Sequence, residues 1–255
     1  MEKINFRVIS LDSHPDKFSN FLVVNQDEYF NFQKFSAVDG VTLNREILIE
    51  KKIITPDLNY ATGALGCAMS HLSLWHECVQ SGEVLNICED DAVFRHDLAF
   101  QMKDIFRQNP NFDIIYWGYN RDVNTAFEIP SLGECMAVFK QEAISNYDQL
   151  SSFRSSSNPF LLLRCLRIFG ILCYSLSPNG AQKLIDSCLP LKPIVARDNW
   201  SNGLQFEQSF IFHNVGIDIL MGVFFNKLLN AYLPFPPLAI SLNTLGEPST
   251  TQTPY

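Results

Sequence analysis

The chain has 255 residues, enough for one large α/β domain, and with 47% hydrophobic and 18% charged residues it has the composition of a folded globular protein. A formal net charge of −8 and the lack of any dense Lys/Arg cluster exclude a nucleic-acid-binding face and strong electrostatic docking on anionic lipid. Seven scattered cysteines, odd in number and without a C-x-x-C, argue against a disulfide framework and a zinc site and suit a reducing cytosol. The N-terminus, MEKINFRVISLD, lacks the apolar run of a signal peptide, and no apolar stretch is long enough to span a bilayer, so the expected location is the cytoplasm.

In chain order, NFRVISLD (5–12) reads as a first strand ending in the polar turn DSHPDK, and YFNFQKFSAVDG (29–40) as a second, stopped by Asp39-Gly40. Leu65, Ala68, Leu72, Trp75 and Val79 recur at three- and four-residue spacing, which predicts a helix over 64–80 with Gly82 as its stop. VLNIC (84–88) and FDIIYWGYN (112–120) are short buried strands, with a helix between them over 97–110. From 120 to 167 the pattern is less regular, and SSFRSSSNP (151–159) reads as a mobile loop. FGILCYSLS (169–177) is a strand, followed by a helix that Ser177 caps with Pro178 in its first position. A polar segment (196–208) precedes an apolar helix over 215–229, with Asp218 near its start; YLPFPPLAISL is extended, and the tail 246–255 is expected to be disordered. Alternating strands and helices predict an α/β fold, a mixed and mostly parallel sheet flanked by helices.

The segment EVLNICEDDAVF (83–94) carries the chemistry. A buried strand runs straight into Glu89, Asp90 and Asp91, and in open α/β sheets ligands bind beyond the carboxyl ends of the strands. Hard oxygen donors there suit Mg²⁺ or Mn²⁺ holding a substrate's phosphates. Taken alone, the acidic run reads first as a solvated turn of an acidic protein, with the cation site close behind.

Four motifs in order change that balance. VISLDSHPDK, then AVDG (37–40), then Gly63/Gly66-Cys67-Ser70-His71-Leu74-Trp75, then Glu89-Asp90-Asp91 resemble glycosyltransferase family 25, which holds lipopolysaccharide and collagen galactosyltransferases. GILCYSLSPNGAQKLI and GIDILMGVFF resemble its later segments, so the likeness covers most of the chain and is weakest over 120–165. The resemblance implies a GT-A-like, Rossmann-like fold in one domain over 1–245, with a nucleotide-sugar-binding half (1–120) and an acceptor-side half (121–245). It implies inverting transfer of a hexose, usually galactose from UDP-galactose, to a hydroxyl of a cell-surface glycan such as lipooligosaccharide, with Mn²⁺ or Mg²⁺ at the donor diphosphate. On that resemblance Asp91 and Asp90 lie at the metal and diphosphate, with Glu89 acting beside them. Leu11, Asp12, Ala37, Val38 and Asp39 lie against the nucleotide.

Inverting transfer needs a base for the acceptor hydroxyl. Asp218 is the first candidate, and it reads equally as a helix N-cap; Asp198 and Glu207 are weaker alternatives. Ser70 and His71 fall in the family's helix motif; His71 reads first as a hydrogen-bonding group inside the fold, with a donor contact left open. His71 and His76 are five apart, a poor metal spacing, and His213 reads as structural. Trp75 reads as core, whereas Trp117 and Tyr119 are candidates to line a sugar. Where relatives often carry arginines after Leu-Asp, this chain has Ser13-His14-Pro15-Asp16-Lys17, leaving Lys17 as the one nearby fixed cation. It also ends in STTQTPY instead of a basic tail, so any membrane contact is expected to be peripheral, at the inner face, and to depend on apolar residues such as YLPFPP. Two other classes use the same residues: a Mg²⁺-dependent phosphohydrolase or nucleotidyltransferase, and a non-catalytic sugar-nucleotide or glycan-binding protein on a decayed transferase scaffold.

Overall fold

In the computed structural model, which describes residues 3–121, 124–139, 147–194, 196–201, 207–212 and 216–241, the chain opens with strand β1 (Ile4–Ser10), helix α1 (Pro15–Val24) and strand β2 (Phe30–Ser36). A short 3-10 turn (Gly40–Thr42) and helix α2 (Arg45–Glu50) lead to the long helix α3 (Thr62–Ser81), which Gly82 ends as its spacing predicts. Then come β3 (Leu85–Glu89), β4 (Ala92–Phe94), α4 (Leu98–Gln108), β5 (Ile114–Gly118), β6 (Asn124–Ile129), β7 (Gly133–Val138), α5 (Tyr147–Arg154), β8 (Leu161–Arg167) and β9 (Cys173–Leu176). The rest is α6 (Pro178–Cys188), β10 (Ala196–Ser201), β11 (Glu207–Phe212), α7 (Ile217–Ile219), β12 (Ala231–Phe235) and β13 (Ala239–Ser241). His213 and the tail 246–255 lie outside the described residues.

One mixed sheet organises the fold, in the order β2-β1-β3-β9-β5-β12-β8-β6-β7, with β4 and β13 attached at β5. Pairing is parallel where β1 joins β2 and β3 and where β5 joins β12 and β13, and antiparallel around β9 and along β12-β8-β6-β7. Helices cover both faces, which is why the central strands are apolar throughout instead of alternating. Ile87, Tyr116 and Tyr174 pack with α3 and α6 on one face; their neighbours Cys88, Trp117 and Cys173 pack with α1 and α4 on the other.

Three expectations are corrected. The segment 151–159, read as a mobile loop, begins as the end of α5: Leu150 is buried against Val93 and Ile240, Arg154 O accepts from His96 N at 2.9 Å, and Asn158 O accepts from Arg95 at 3.1 Å. Tertiary contacts override serine's weak helix propensity there. The apolar helix expected over 215–229 is only α7 followed by a widened π-type turn (Leu220–Phe224) and a 3-10 turn (Asn226–Leu228). Ile168 N donates to Gly222 O at 3.0 Å, and the Asn226 amide donates to Cys165 O at 2.9 Å, so the segment is pinned to the end of β8 and cannot wind regularly. Trp117 and Tyr119 line no open surface: both are buried, Trp117 donating to Ser175 Oγ at 2.7 Å and Tyr119 to Pro234 O at 3.0 Å.

Two contacts fix the frame. Asp113, its side chain 3% exposed, accepts from Asn230 N at 2.7 Å, Asn179 Nδ2 at 2.7 Å and Lys183 Nζ at 2.6 Å, joining β5, α6 and the approach to β12. Burial alone would raise its carboxyl, but the Asn230 amide, the Lys183 ammonium and the Asn179 amide outweigh it and hold the pKa below its ordinary value. The second contact is backbone against backbone: a Cβ built on Gly66 of α3 would stand 2.4 Å from Val38 O and 2.7 Å from Gly40 N. Ser70, one turn on, accepts from Val38 N and donates to Gly66 O, each at 2.8 Å. The AVDG turn is thereby clamped to the start of α3.

Asp113→Ala should cost about 3–5 kcal/mol in urea unfolding at neutral pH, because it leaves buried donors and a lysine unpaired. The Asp113 carboxylate's contribution is complete above its unfolded pKa of about 3.9 and fades as pH falls through the lower folded value, so the gap between wild type and variant should close only in strong acid. Gly66→Ala should cost about 2–3 kcal/mol or abolish folding, and Ser70→Ala about 1–3 kcal/mol, both read as melting temperature.

Candidate functional site

Parallel pairing of β1 with β3, in a register that sets Ile9 beside Glu89, brings two strand ends together. One delivers Ser10-Leu11-Asp12 and the other Glu89-Asp90-Asp91. β2 runs alongside, and Ala37 N donates to Ser10 O at 2.9 Å, so the AVDG turn closes the same corner. Leu11, Asp12, Ala37, Val38 and Asp39 thus do share one edge. Asp39 Oδ1 accepts from Val41 N at 3.0 Å and caps the 3-10 turn, while Ser70 spends its hydroxyl on the clamp described above.

Asp12 Oδ1 accepts from Lys34 Nζ at 2.6 Å and from Ser36 Oγ at 3.1 Å, and these two bonds lower its pKa. Lys34 corrects the expectation that Lys17 is the only fixed cation near this edge. It is distant in sequence, and only the β1–β2 register, which places it opposite Val8, reveals it. Lys17 is there too: burial raises the Asp90 carboxyl, and the Ser10 hydroxyl and the charge of Lys17 oppose that rise.

Asp91 stands deeper. β4 pairs antiparallel with β13 so that Ser241 lies opposite Ala92, and the Ser241 hydroxyl donates to Asp91 Oδ2. Burial, then the charge of Glu89, pushes the Asp91 carboxyl up to about 7, against the pull of Ser241. The triplet is therefore a built concentration of negative charge at a sheet edge, which is more than a solvated turn requires.

On the inner side, α3 presents His71 to the same carboxylates. The ring is fully buried; Nδ1 lies 2.8 Å from the Tyr174 hydroxyl, which also accepts from Trp75 Nε1 at 3.0 Å. Nε2 points at Glu89 and stands 3.7 Å from Oε1. Cys67 lies one turn earlier, and its sulfur, a ring nitrogen of His71 and a carboxylate oxygen of Glu89 all fall within 4.8 Å of one another. The sequence reading weighed only His71 with His76 and cysteine pairs, and so missed this trio; the Cys67–His71 spacing of four residues on one helix face was the available signal. His76 is exposed.

Asp218 reaches the site from the other half of the chain. Gly216 holds the N-cap position of α7, so Asp218 is not the cap that its sequence context allowed. Burial raises its carboxyl, the Ile219 amide opposes that, and Glu89 raises it further while His71 lowers it, which puts all three groups within one another's fields. Asp198 and Glu207 lie on the β10–β11 hairpin, paired with Phe210 and Ser201.

The donor set suits a divalent ion. Glu89, Asp90 and Asp91 supply hard oxygens, the latter two are raised by burial and by Glu89's charge, and a cation among them would relieve both effects.

A family model described as "Glycosyltransferase family 25 (LPS biosynthesis protein)" matches residues 3–200. The mouse protein named "Inactive glycosyltransferase 25 family member 3" is 32% identical over 138 residues, 48% of this chain and 23% of its own length. The human protein of that name is 29% identical over 142 residues, 49% and 24% of the two chains. The matched segment thus spans about a quarter of those relatives. Among solved structures, the one titled "Crystal Structure of A197 from STIV" aligns over 91% of this chain and 81% of that one, at 12% identity and a TM-score of 0.34. With a family model matched over most of its length, on a mixed α/β sheet flanked by helices, the chain belongs to glycosyltransferase family 25.

Proposed function

We propose that this chain is a divalent-cation-dependent, inverting glycosyltransferase that moves a hexose, galactose from UDP-galactose foremost, onto a hydroxyl of a cell-surface glycan such as lipooligosaccharide. One observation carries the reading: Glu89, Asp90 and Asp91 follow the end of a strand paired in parallel with β1, and Asp218, from the later half of the chain, comes within the field of Glu89.

Asp90 and Asp91 are the residues to hold Mn²⁺ or Mg²⁺. The bound ion supplies Lewis-acid charge to a departing diphosphate. Lys17 and Lys34, on the Asp12 side, add positive charge for phosphate oxygens. Leu11, Asp12 and the Ala37–Asp39 turn form the wall for uracil and ribose, where Asp12 and Asp39 offer acceptors. Glu89, 3.7 Å from His71 Nε2, accepts from a donor-sugar hydroxyl in this reading. Asp218 takes the acceptor proton; burial raises its carboxyl, which makes it a stronger base than an ordinary carboxylate.

All seven cysteines are free thiols, which fits a reducing cytoplasm, and no helix among the described residues is long and apolar enough to cross a membrane. The word "inactive" in the relatives' names favours one second reading, a protein that binds sugar nucleotides without turning them over.

Incubation with Mn²⁺ and a panel of UDP-sugars should release UDP in the presence of a glycan acceptor, fastest with UDP-galactose. Asp91→Asn should lower kcat by about 10²–10³-fold, as losing one electrostatic contact to a developing charge typically does. Asp218→Asn should lower it by about 10²–10⁴-fold with KM for the donor little changed. Binding of UDP-sugars by a folded protein with no UDP release under any metal would establish the second reading and refute the first.

A further inference from the structure

We propose that Cys67, His71 and Glu89 form a site for a borderline-soft divalent cation of the Zn²⁺ class, adjoining the oxygen-rich locus of Asp90 and Asp91 and sharing Glu89 with it. The inference does not rest on the donor chemistry proposed above.

The first argument is the state of His71. Its Nε2 is fully buried and has no hydrogen-bond partner among the described residues, although a buried polar atom normally has one. Nε2 stands 3.7 Å from Glu89 Oε1, too far for a hydrogen bond. It is close to the separation of two ligands on one tetrahedral ion: bonds of about 2.1 Å at the tetrahedral angle put the ligand atoms about 3.4 Å apart.

The second is the surrounding shell. A ligating histidine commonly donates its other ring N–H to a fixed oxygen, which sets the tautomer and orients the ring. Nδ1 lies 2.8 Å from the Tyr174 hydroxyl, and Trp75 holds that oxygen from the other side at 3.0 Å. Metal binding takes the tautomer in which Nδ1–H donates to Tyr174, which leaves the Nε2 lone pair, 3.7 Å from Glu89 Oε1, to ligate the ion.

The third is the ligand set. Cys67 and His71 are four apart on α3 and project from one face. All three separations are within 4.8 Å, and Glu89, whose side chain is 35% exposed, is the least enclosed of the three ligands. A thiolate and an imidazole select Zn²⁺ over Mg²⁺ or Mn²⁺, whereas Asp90 and Asp91 offer only oxygen. Binding converts the Cys67 thiol to a thiolate and releases its proton to solvent. Three protein ligands leave a fourth position, and the exposed side of Glu89 opens it to water.

The test uses the full chain, stripped with a chelator and titrated with Co²⁺ as a spectroscopic probe, with no sugar nucleotide present. The site predicts a thiolate-to-cobalt charge-transfer band in the near ultraviolet with the visible bands of a four-coordinate ion, displaced by Zn²⁺ and not by Mg²⁺. Zn²⁺ should also raise the melting temperature. Cys67→Ala, a small change at a helix position, should fold, lose the charge-transfer band and bind Zn²⁺ at least about 100-fold more weakly. A folded wild type with no such band overturns the proposal, as does a band that survives Cys67→Ala and so belongs to another cysteine. Because the readout needs no donor or acceptor, failure here leaves the transferase reading standing, and failure to turn over UDP-sugars leaves this site standing.

Discussion

Like charge at the end of β3 is the constraint on which the site depends. Three carboxylates follow one another there, Glu89 also feels a fourth, Asp218 of α7, and burial raises the pKa of Asp90, Asp91 and Asp218. An isolated turn would relieve such repulsion by splaying into water. This one cannot, because β3 lies between β1 and β9, and β4 is held by β13. The apolar layers on both faces of the sheet keep the strand ends in place, so core packing is what holds the acidic edge together. The partners on hand are modest: hydroxyls of Ser10 and Ser241, and the field of Lys17. That imbalance leaves negative charge at the edge without an equal positive partner among the described residues.

Helix α3 serves two sides of this corner at once. Its Gly66 and Ser70 lock the AVDG turn by close backbone approach and two hydrogen bonds. Its Cys67 and His71 face Glu89. The G-x-x-G-C-x-x-S-H pattern therefore splits into a structural half and a chemical half on adjacent stripes of one helix. Ser70, which falls in the family motif, belongs to the structural half: both its bonds are internal.

The sequence shows the elements whose signals are local. The period of α3, the Ser177 cap of α6 and the apolar strands β3 and β5 are all visible, because each depends on neighbours within a turn or two. The acidic triplet's place at a strand end is visible for the same reason. What the sequence hides depends on register or on distant packing. Lys34 meets Asp12 only because β2 pairs with β1, and Ser241 meets Asp91 only because β13 pairs with β4. The expected long helix over 215–229 fails because its hydrophobic period says nothing of Ile168 and Cys165, whose backbones claim Gly222 O and the Asn226 amide.

That last departure has a chemical consequence. A regular helix through 215–229 would carry Asp218 on a rigid rod with all its backbone bonds satisfied internally. Instead α7 is a single turn, opening into a π-type turn in which Phe225 N donates to Leu220 O at 2.9 Å. Widened turns of this kind recur at functional sites because they re-aim side chains at a cost that only surrounding contacts can offset. Here the offset comes from β8, through Ile168, and from the buried Leu220 and Met221 under the turn. Asp218 is thereby tied to the antiparallel half of the sheet while it faces carboxylates delivered by the parallel half. The acidic corner is assembled from distant parts of the chain, and the position of Asp218 is set by the packing of β8 as much as that of Glu89 is set by its own strand.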